Sequence, residues 1–176
     1  LRLADVAVIV KEDTARPADI EAVRAAISAM NPRARIMDTR LAISVEEPDK
    51  VRGRRVLAVE DGPTLTHGGM PAGAAELAAK SLGATLVDPR PYAQGSIRKV
   101  YEAYPALGPV LPAMGYGAEQ IAELEATINA VPCDLVLLGT PIDLRRSLTL
   151  RHPVARVRYR IEEVGHPDFD EILRGF

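Results

Sequence analysis

Residues 56–83, VLAVEDGPTLTHGGMPAGAAELAAKSLG, carry the clearest indication of the fold. An apolar strand leads into acids, hydroxyls, a histidine and paired glycines, and an alanine-rich helix follows. This order predicts an α/β protein in which a turn presents an anion to the start of a helix, where unpaired N–H groups and the positive end of the dipole lie. Gly62, Gly68 and Gly69 allow the backbone to turn sharply and to approach a ligand. A phosphorylated ligand is therefore expected.

Strand and helix patterns alternate along the rest of the chain. Strands are predicted at residues 4–10, 35–38, 56–60, 84–88, 109–114 and 134–139, and helices at 17–30, 71–82, 97–104, 118–130 and from 167 onward. The helix at 118–130 would bury Ile121, Leu124 and Ile128. Continuous apolar strands between helices indicate a parallel sheet that is covered on both faces. The predicted fold is an α/β three-layer sandwich with a mostly parallel, Rossmann-like sheet.

Two segments depart from that alternation. Residues 44–55 are polar, with Pro48 and Gly53, and are predicted to form a linker. Residues 154–161, VARVRYRI, alternate strictly, which predicts an edge strand with Arg156, Arg158 and Arg160 on one solvated face.

Composition excludes several classes of function. The chain has 176 residues, 47% of them hydrophobic, and a net charge of -2, so nonspecific nucleic-acid binding is not expected. No apolar run approaches the roughly 20 residues that span a bilayer, and a cytoplasmic protein is expected. Cys133 is the single cysteine and is predicted to be a packed thiol. His67, His152 and His166 lack metal-ligand spacing, so no histidine and cysteine metal site is predicted.

Polar residues follow the predicted strands at the edge where open α/β sheets bind ligands. Asp61 and Asp88 are candidate acid/base or Mg²⁺-binding carboxylates. His67 is a candidate general acid or phosphate ligand, with a hydrogen-bonded turn residue as the alternative. The alternative is structural: Thr66 caps a helix, Asp88 forms a turn with Pro89, and Asp143 caps the next segment. The residues predicted to surround a phosphate through hydroxyl, amide or guanidinium groups are Thr64, Thr66, Gly68, Gly69, Arg90, Thr140 and Arg145.

Two further motifs bear on nucleotide binding. Lys11 and Asp13 follow the first strand, as in the Asn/Thr-Lys-x-Asp motif with which GTPases hold guanine, although Val10 stands at the position of the first polar residue. They are candidate base-binding residues. Residues 73–81, GAAELAAKS, end in Lys-Ser but lack the glycine before the lysine that a Walker A loop requires. This segment is therefore not predicted to hold phosphates.

The segments KEDTA (11–15), GRRVLAVEDGPTLTHGGMPAGAAELAAK (53–80), VDPRPYAQGSI (87–97), VLPAMGYGAEQ (110–120), GTPIDL (139–144) and HPVARVRY (152–159) carry a resemblance. In this order they resemble the carboxyl-terminal part of the cyclic 2,3-diphosphoglycerate synthetase family, whose wider membership is known as predicted GTPases. The resemblance implies a P-loop nucleotide-binding enzyme that closes 2,3-diphosphoglycerate into a cyclic phosphoanhydride with ATP and Mg²⁺. GTP is the alternative nucleotide.

The resemblance also implies a division of the chain. Residues 1–50 would finish a P-loop nucleotide domain, and residues 51–176 would form a Rossmann-like unit that binds a small phosphorylated metabolite. The phosphate loop would then lie upstream of Leu1, so this chain alone is not expected to hydrolyse nucleotide. A homo-oligomer is a further expectation. Two rivals stay open: a hydrolytic GTPase whose second unit is regulatory or binds a partner, and a non-catalytic structural domain.

Overall fold

The computed structural model describes residues 1–10, 15–66, 73–115 and 117–175, with the backbone alone for Thr64. These residues divide into two compact units, Leu1–Ala42 with Tyr159–Phe176 as unit 1 and Ile43–Arg158 as unit 2. The assignment of residues 1–50 to a nucleotide domain and of 51–176 to a substrate unit concerns function, and it stays a prediction.

The elements follow one another in the alternating order of an α/β protein. In chain order they are β1 (Val6–Ile9), α1 (Pro17–Met30), β2 (Arg35–Val45), α2 (Pro48–Val51), β3 (Arg55–Asp61), α3 (Gly62–Thr66), α4 (Ala74–Ser81), β4 (Thr85–Leu86), α5 (Gly95–Ala103), β5 (Leu111–Ala113), α6 (Ala118–Ala130), β6 (Leu135–Leu138), β7 (Val154–Glu163) and α7 (Phe169–Leu173). Short 3-10 turns occur at Arg90–Tyr92 and Leu144–Arg146.

Unit 1 is built on the parallel pair β1 and β2, in which Ala7 lies opposite Ile36. Helix α1 packs Ile27 against Ala7 and Ile9. Pro17 opens this helix, where its missing N–H costs no hydrogen bond. These contacts give unit 1 a small apolar core.

Unit 2 has β3 at the centre of its sheet. β3 pairs in parallel with β6 on one side and with β4 and β5 on the other. Along β3, Val56 and Ala58 pack with α4, whereas Leu57 and Val59 pack with α5 and α6, because successive strand residues face opposite sides. The predicted α/β three-layer class with a mostly parallel, Rossmann-like sheet is confirmed.

The predicted linker at residues 44–55 is wrong. β2 does not end at Asp38 but continues to Val45, and α2 follows within the polar stretch. Val51 is fully buried and joins a core cluster with Ile43 and Val45 packed against it. Burial of these three side chains outweighs the local polarity that suggested a linker. The helix predicted from residue 71 begins at Ala74 in the described part of the chain.

The prediction that β7 is an edge strand is also wrong, since it is hydrogen-bonded to β6 on one side and to β2 on the other. The alternating arginines are not equally exposed to solvent. The side chain of Arg156 is 14% exposed, against 62% for Arg158. Arg156 lies over the loop after β6, where it donates to the carbonyl of Pro141 at 3.3 Å.

Two expectations from composition can be compared with the structure. Cys133 is buried in the main apolar cluster of unit 2, and burial raises the pKa of its thiol, as a packed cysteine requires. Within the described ranges, no helix has both the length and the apolar character needed to cross a lipid bilayer.

Candidate functional site

A pocket of about 310 Å³ opens in unit 2 at the carboxyl ends of β3, β5 and β6. Its apolar walls include Ile121 and Leu124 of α6, and Leu144 and Leu148 of the loop after β6. This is the edge at which open α/β sheets bind ligands, and the volume lies in the range of small-molecule sites. The pocket is therefore the candidate binding site of unit 2.

Two of the residues predicted from the sequence line this pocket. Asp61 is the last residue of β3, and Thr140 follows β6, whose parallel pairing with β3 brings the two strand ends together. The Thr140 hydroxyl donates to the carbonyl of Ile142 at 2.7 Å, which fixes the turn that forms one wall. Ser147 adds a second hydroxyl. Among the described lining residues there is no arginine, lysine or histidine.

The start of α4, where a phosphate was expected, holds a carboxylate of the protein itself. Glu60 is 2% exposed, and its Oε1 accepts a hydrogen bond of 2.8 Å from the backbone N–H of Glu76. The backbone N–H groups of Ala74 and Ala75 also stabilise this carboxylate. An acid at a helix start satisfies the same unpaired N–H groups that an external anion would use.

The environment of Glu60 changes the pKa of its carboxyl group. Burial raises the pKa of Glu60 to about 7, although the backbone hydrogen bonds of α4 lower it in part. The nearby carboxylate of Glu76 raises it further, and Glu76 is itself paired with Lys80 at 2.7 Å. Glu60 therefore changes its charge in the neutral range.

The carboxyl group of Glu60 has enough space only because the residues that face it are glycines. A Cβ on Gly73 would overlap the carboxyl group of Glu60, and a Cβ on Gly139 would lie 2.5 Å from Oε2 of Glu60 and 2.9 Å from the backbone nitrogen of Ala75. Neither glycine has a positive φ, so close approach rather than backbone conformation requires glycine here.

Asp88 and Arg90, which were predicted for acid/base and phosphate roles, bind each other. The guanidinium of Arg90 donates to both carboxylate oxygens of Asp88, with Nη2 at 2.7 Å from Oδ2. This pairing lowers the pKa of Asp88. Asp88 also accepts the backbone N–H of Arg90, which is the turn that the structural alternative predicted. Neither residue lines the pocket.

Arg145 is held in ion pairs beside the pocket. It donates to both oxygens of Asp143 and lies 3.5 Å from Glu46. Asp143 also accepts the backbone N–H of Arg145, so its predicted capping role is confirmed. The Arg145 hydrogen bond lowers the pKa of Asp143 to about 2. Arg145 thus stabilises the loop after β6 but does not line the pocket.

Several predicted site residues are not brought into the pocket by what the structure describes. Thr66 ends α3 and donates to the carbonyl of Gly62 at 3.0 Å. The residues predicted for phosphate or base binding that lie outside the described residues are Lys11, Asp13, His67, Gly68 and Gly69, together with the side chain of Thr64. Their roles stay predictions.

One cluster in unit 1 has metal-ligand side chains. Among the described residues, ligand atoms of His166, Asp168 and Glu171 all lie within 4.8 Å of one another. Asp168 caps α7 by accepting from the N–H of Glu171 at 2.7 Å, and Glu171 accepts in return from the N–H of Asp168. The capping box accounts for this arrangement without a metal ion.

Glu60 and the apolar walls are the parts of the site that the sequence did not assign. Glu60 is the last residue of the predicted strand 56–60, and its alternation with Val56 and Ala58 places it on the face of α4. Ile121 and Leu124 were interpreted as core residues of α6. The alternation of side chains along β3 is the sequence signal that could have placed Glu60 on the face of α4. No signal in the sequence distinguishes residues that line the pocket from residues of the core.

Comparison with known proteins adds a homologue. No protein-family model matches the sequence. The chain is 53% identical over 173 residues to a protein named arginine synthetase ArcE, from Thermococcus kodakarensis, and this match covers 98% of the chain. It covers 39% of the relative, so the chain spans about two fifths of the length of the curated relative that it matches. The homologue is named as a ligase-type enzyme, as the resemblance implied, but not as a cyclic 2,3-diphosphoglycerate synthetase.

Proposed function

We propose that this chain is part of a nucleotide-dependent ligase that makes arginine, and that the pocket at the strand ends holds the amino-acid substrate or product. The observation that carries the proposal is the 53% identity to arginine synthetase ArcE over 98% of the chain. Because the match covers 39% of that relative, the activity of the whole enzyme is part of the proposal.

The chemistry of the pocket supports an arginine-type ligand. Its walls are mostly apolar, which suits the methylene stem of a basic amino acid, and Asp61 places a carboxylate among them. A carboxylate can accept two parallel hydrogen bonds from a guanidinium group. The hydroxyls of Thr140 and Ser147 add polar contacts for the remaining donors. The pocket therefore offers partners for both the charge and the stem of the ligand.

The same features disfavour the finer assignment to cyclic 2,3-diphosphoglycerate synthesis. A diphosphorylated ligand needs cationic side chains or free helix N–H groups. The described lining of the pocket contributes Asp61 and no cation, and the start of α4 is occupied by Glu60. The negative charges of a phosphorylated substrate would be repelled by the carboxylate of Asp61.

Nucleotide binding is proposed from the resemblance. ATP or GTP with Mg²⁺ would supply the free energy for bond formation, and Lys11 and Asp13 would contact the base. The regulatory GTPase alternative predicts nucleotide hydrolysis that does not depend on an amino acid.

The test is an activity assay on the complete natural polypeptide that contains this chain. It is offered ATP or GTP, Mg²⁺, ammonium and citrulline, whose ureido oxygen stands where arginine has a nitrogen, and in a separate reaction 2,3-diphosphoglycerate. We expect arginine to form, and Asp61→Asn to reduce its rate at least tenfold. Asp49→Asn, whose side chain is 96% exposed on α2, is the matched control and should leave the rate unchanged. A cyclic phosphoanhydride product, or nucleotide hydrolysis without arginine, would overturn the proposal.

A further inference from the structure

Glu60 is enclosed behind the pocket by a helix start and two glycines, and this enclosure indicates a role. We propose that Glu60 is a positioning residue that fixes Asp61 and Thr140 across the pocket. The inference rests on the proposed function, in that Asp61 and Thr140 are taken to contact the ligand. Glu60 itself is 2% exposed and does not line the pocket, so it acts through its neighbours.

The first step is the attachment of Glu60 to α4. Its carboxylate accepts the N–H of Glu76 at 2.8 Å, and the N–H groups of Ala74 and Ala75 stabilise it as well. A buried acceptor that satisfies several donors is costly to move, since each donor that it leaves behind would be buried without a hydrogen-bond partner. The carboxylate thus ties the end of β3 to the first turn of α4.

The second step is the contact with β6. The carboxylate is so close to Gly139 that a Cβ there would lie 2.5 Å from Oε2. Gly139 follows the last residue of β6 and donates its N–H to the carbonyl of Val59 at 2.8 Å. The position of the Glu60 side chain and the backbone of Gly139 therefore determine each other.

The third step links this contact to the pocket. Asp61 is the next residue after Glu60, and Thr140 is the next after Gly139, and both line the pocket. Because successive residues of a strand face opposite sides, Asp61 points to the pocket where Glu60 points to α4. A shift of Glu60 is transmitted to both strand ends through one peptide unit each. Displacements of about 1 Å are sufficient to weaken a binding or catalytic geometry substantially.

Charged groups around Glu60 affect its ionisation. On α4 the carboxylate of Glu76 faces it and is paired with Lys80 at 2.7 Å. On β3 the neighbouring charge is Asp61, which lines the pocket on the other face. Since burial raises the pKa of Glu60 to about 7, its ionisation can be followed in the neutral range.

The test is a pH titration of the 176-residue chain by two-dimensional amide NMR between pH 5.5 and 8.5. We expect the amides of Glu76, Asp61 and Thr140 to share one transition, which Glu60→Gln removes. Glu102→Gln, an exposed glutamate on α5, is the control and should retain it. If Glu60→Gln does not fold, the wild type still tests the proposal, which requires the amides of Glu76, Asp61 and Thr140 to titrate with the same midpoint.

The proposal is overturned if the Glu76 amide titrates while the amides of Asp61 and Thr140 stay constant, since Glu60 would then only cap α4. It is also overturned if no transition in this range depends on Glu60. Either outcome is independent of whether arginine binds, so failure of this inference and failure of the proposed function can be told apart.

Discussion

The carboxyl group of Glu60 accepts a 2.8 Å hydrogen bond from the backbone N–H of Glu76, so the first turn of α4 holds a side chain that belongs to the protein. This contact changes how the loop and helix of residues 56–83 are interpreted. The start of the helix suggests a phosphate site, but in the structure the first turn of α4 and the adjoining Gly73 receive the side chain of Glu60. The candidate pocket lies on the opposite face of β3, where Asp61 is among the lining residues.

The first prediction concerns the pH dependence of stability. The pKa of Glu60 is raised from 4.5 to about 7 in the folded protein, so its contribution is fully present below pH 4.5 and is lost as the pH rises through 7. Glu60→Gln removes this dependence. Between pH 4.5 and pH 7.5, the free energy of unfolding of the variant should rise by about 3 kcal/mol relative to that of the wild type. Urea unfolding at both pH values measures the difference, and a pH-independent difference would contradict the account.

The second prediction concerns the space around Glu60. Gly139→Ala should lower the free energy of unfolding by about 1–3 kcal/mol, because its Cβ would displace the carboxylate and press on the nitrogen of Ala75. Gly108→Ala is the matched control, since its Cβ would meet the nearest atom, Oε2 of Glu76, at 3.9 Å. Equal stability of the two variants in urea unfolding would show that Glu60 is not confined at Gly139.

The third prediction separates two arginines of β7. Arg156 is 14% exposed, donates to the Pro141 carbonyl and lies 3.6 Å from Asp143, so Arg156→Ala should cost about 1–3 kcal/mol of stability. Arg158 is 62% exposed and pairs with Glu46, and Arg158→Ala should cost less than about 1 kcal/mol. Thermal and urea unfolding compare the two. A larger loss for Arg158 would refute the assignment of Arg156 to the pocket loop.

The fourth prediction concerns a residue predicted for catalysis. Asp88 is bound by Arg90 outside the pocket lining, so Asp88→Asn should leave arginine binding within about twofold of the wild type. Calorimetric titration of the variant provides the measurement. A tenfold loss of affinity for arginine in Asp88→Asn would indicate that Asp88 belongs to the binding site.

The fold could be predicted from the sequence because its strands are marked by local signals. The apolar runs of β3 and β6 and the helical spacing of Ile121, Leu124 and Ile128 gave the three layers. The end of β2 and the burial of Val51 could not be predicted, since they depend on packing between segments that are distant along the chain. β7 alternates like an edge strand, although β2 covers its second side.

The rule that ligands bind at strand ends predicts the location of Asp61 and Thr140, which both line the candidate pocket. The same rule does not predict which polar side chains near the strand ends pair with each other outside the pocket lining. Asp88 with Arg90 and Asp143 with Arg145 form bidentate pairs that a sequence pattern cannot distinguish from ligand-binding residues. Glu60 depends on Gly73 and Gly139, which the fold alone brings to it.

The most direct test of the central claim is isothermal titration calorimetry of the 176-residue chain with L-arginine, beside inorganic phosphate and 2,3-diphosphoglycerate. We expect arginine to bind and Asp61→Asn to weaken its binding about 10- to 100-fold, which corresponds to a lost charge-assisted hydrogen bond of about 1.5–3 kcal/mol. Asp49→Asn should bind arginine like the wild type. Binding of phosphate or 2,3-diphosphoglycerate without arginine, or equal arginine affinity in Asp61→Asn, would contradict the central claim.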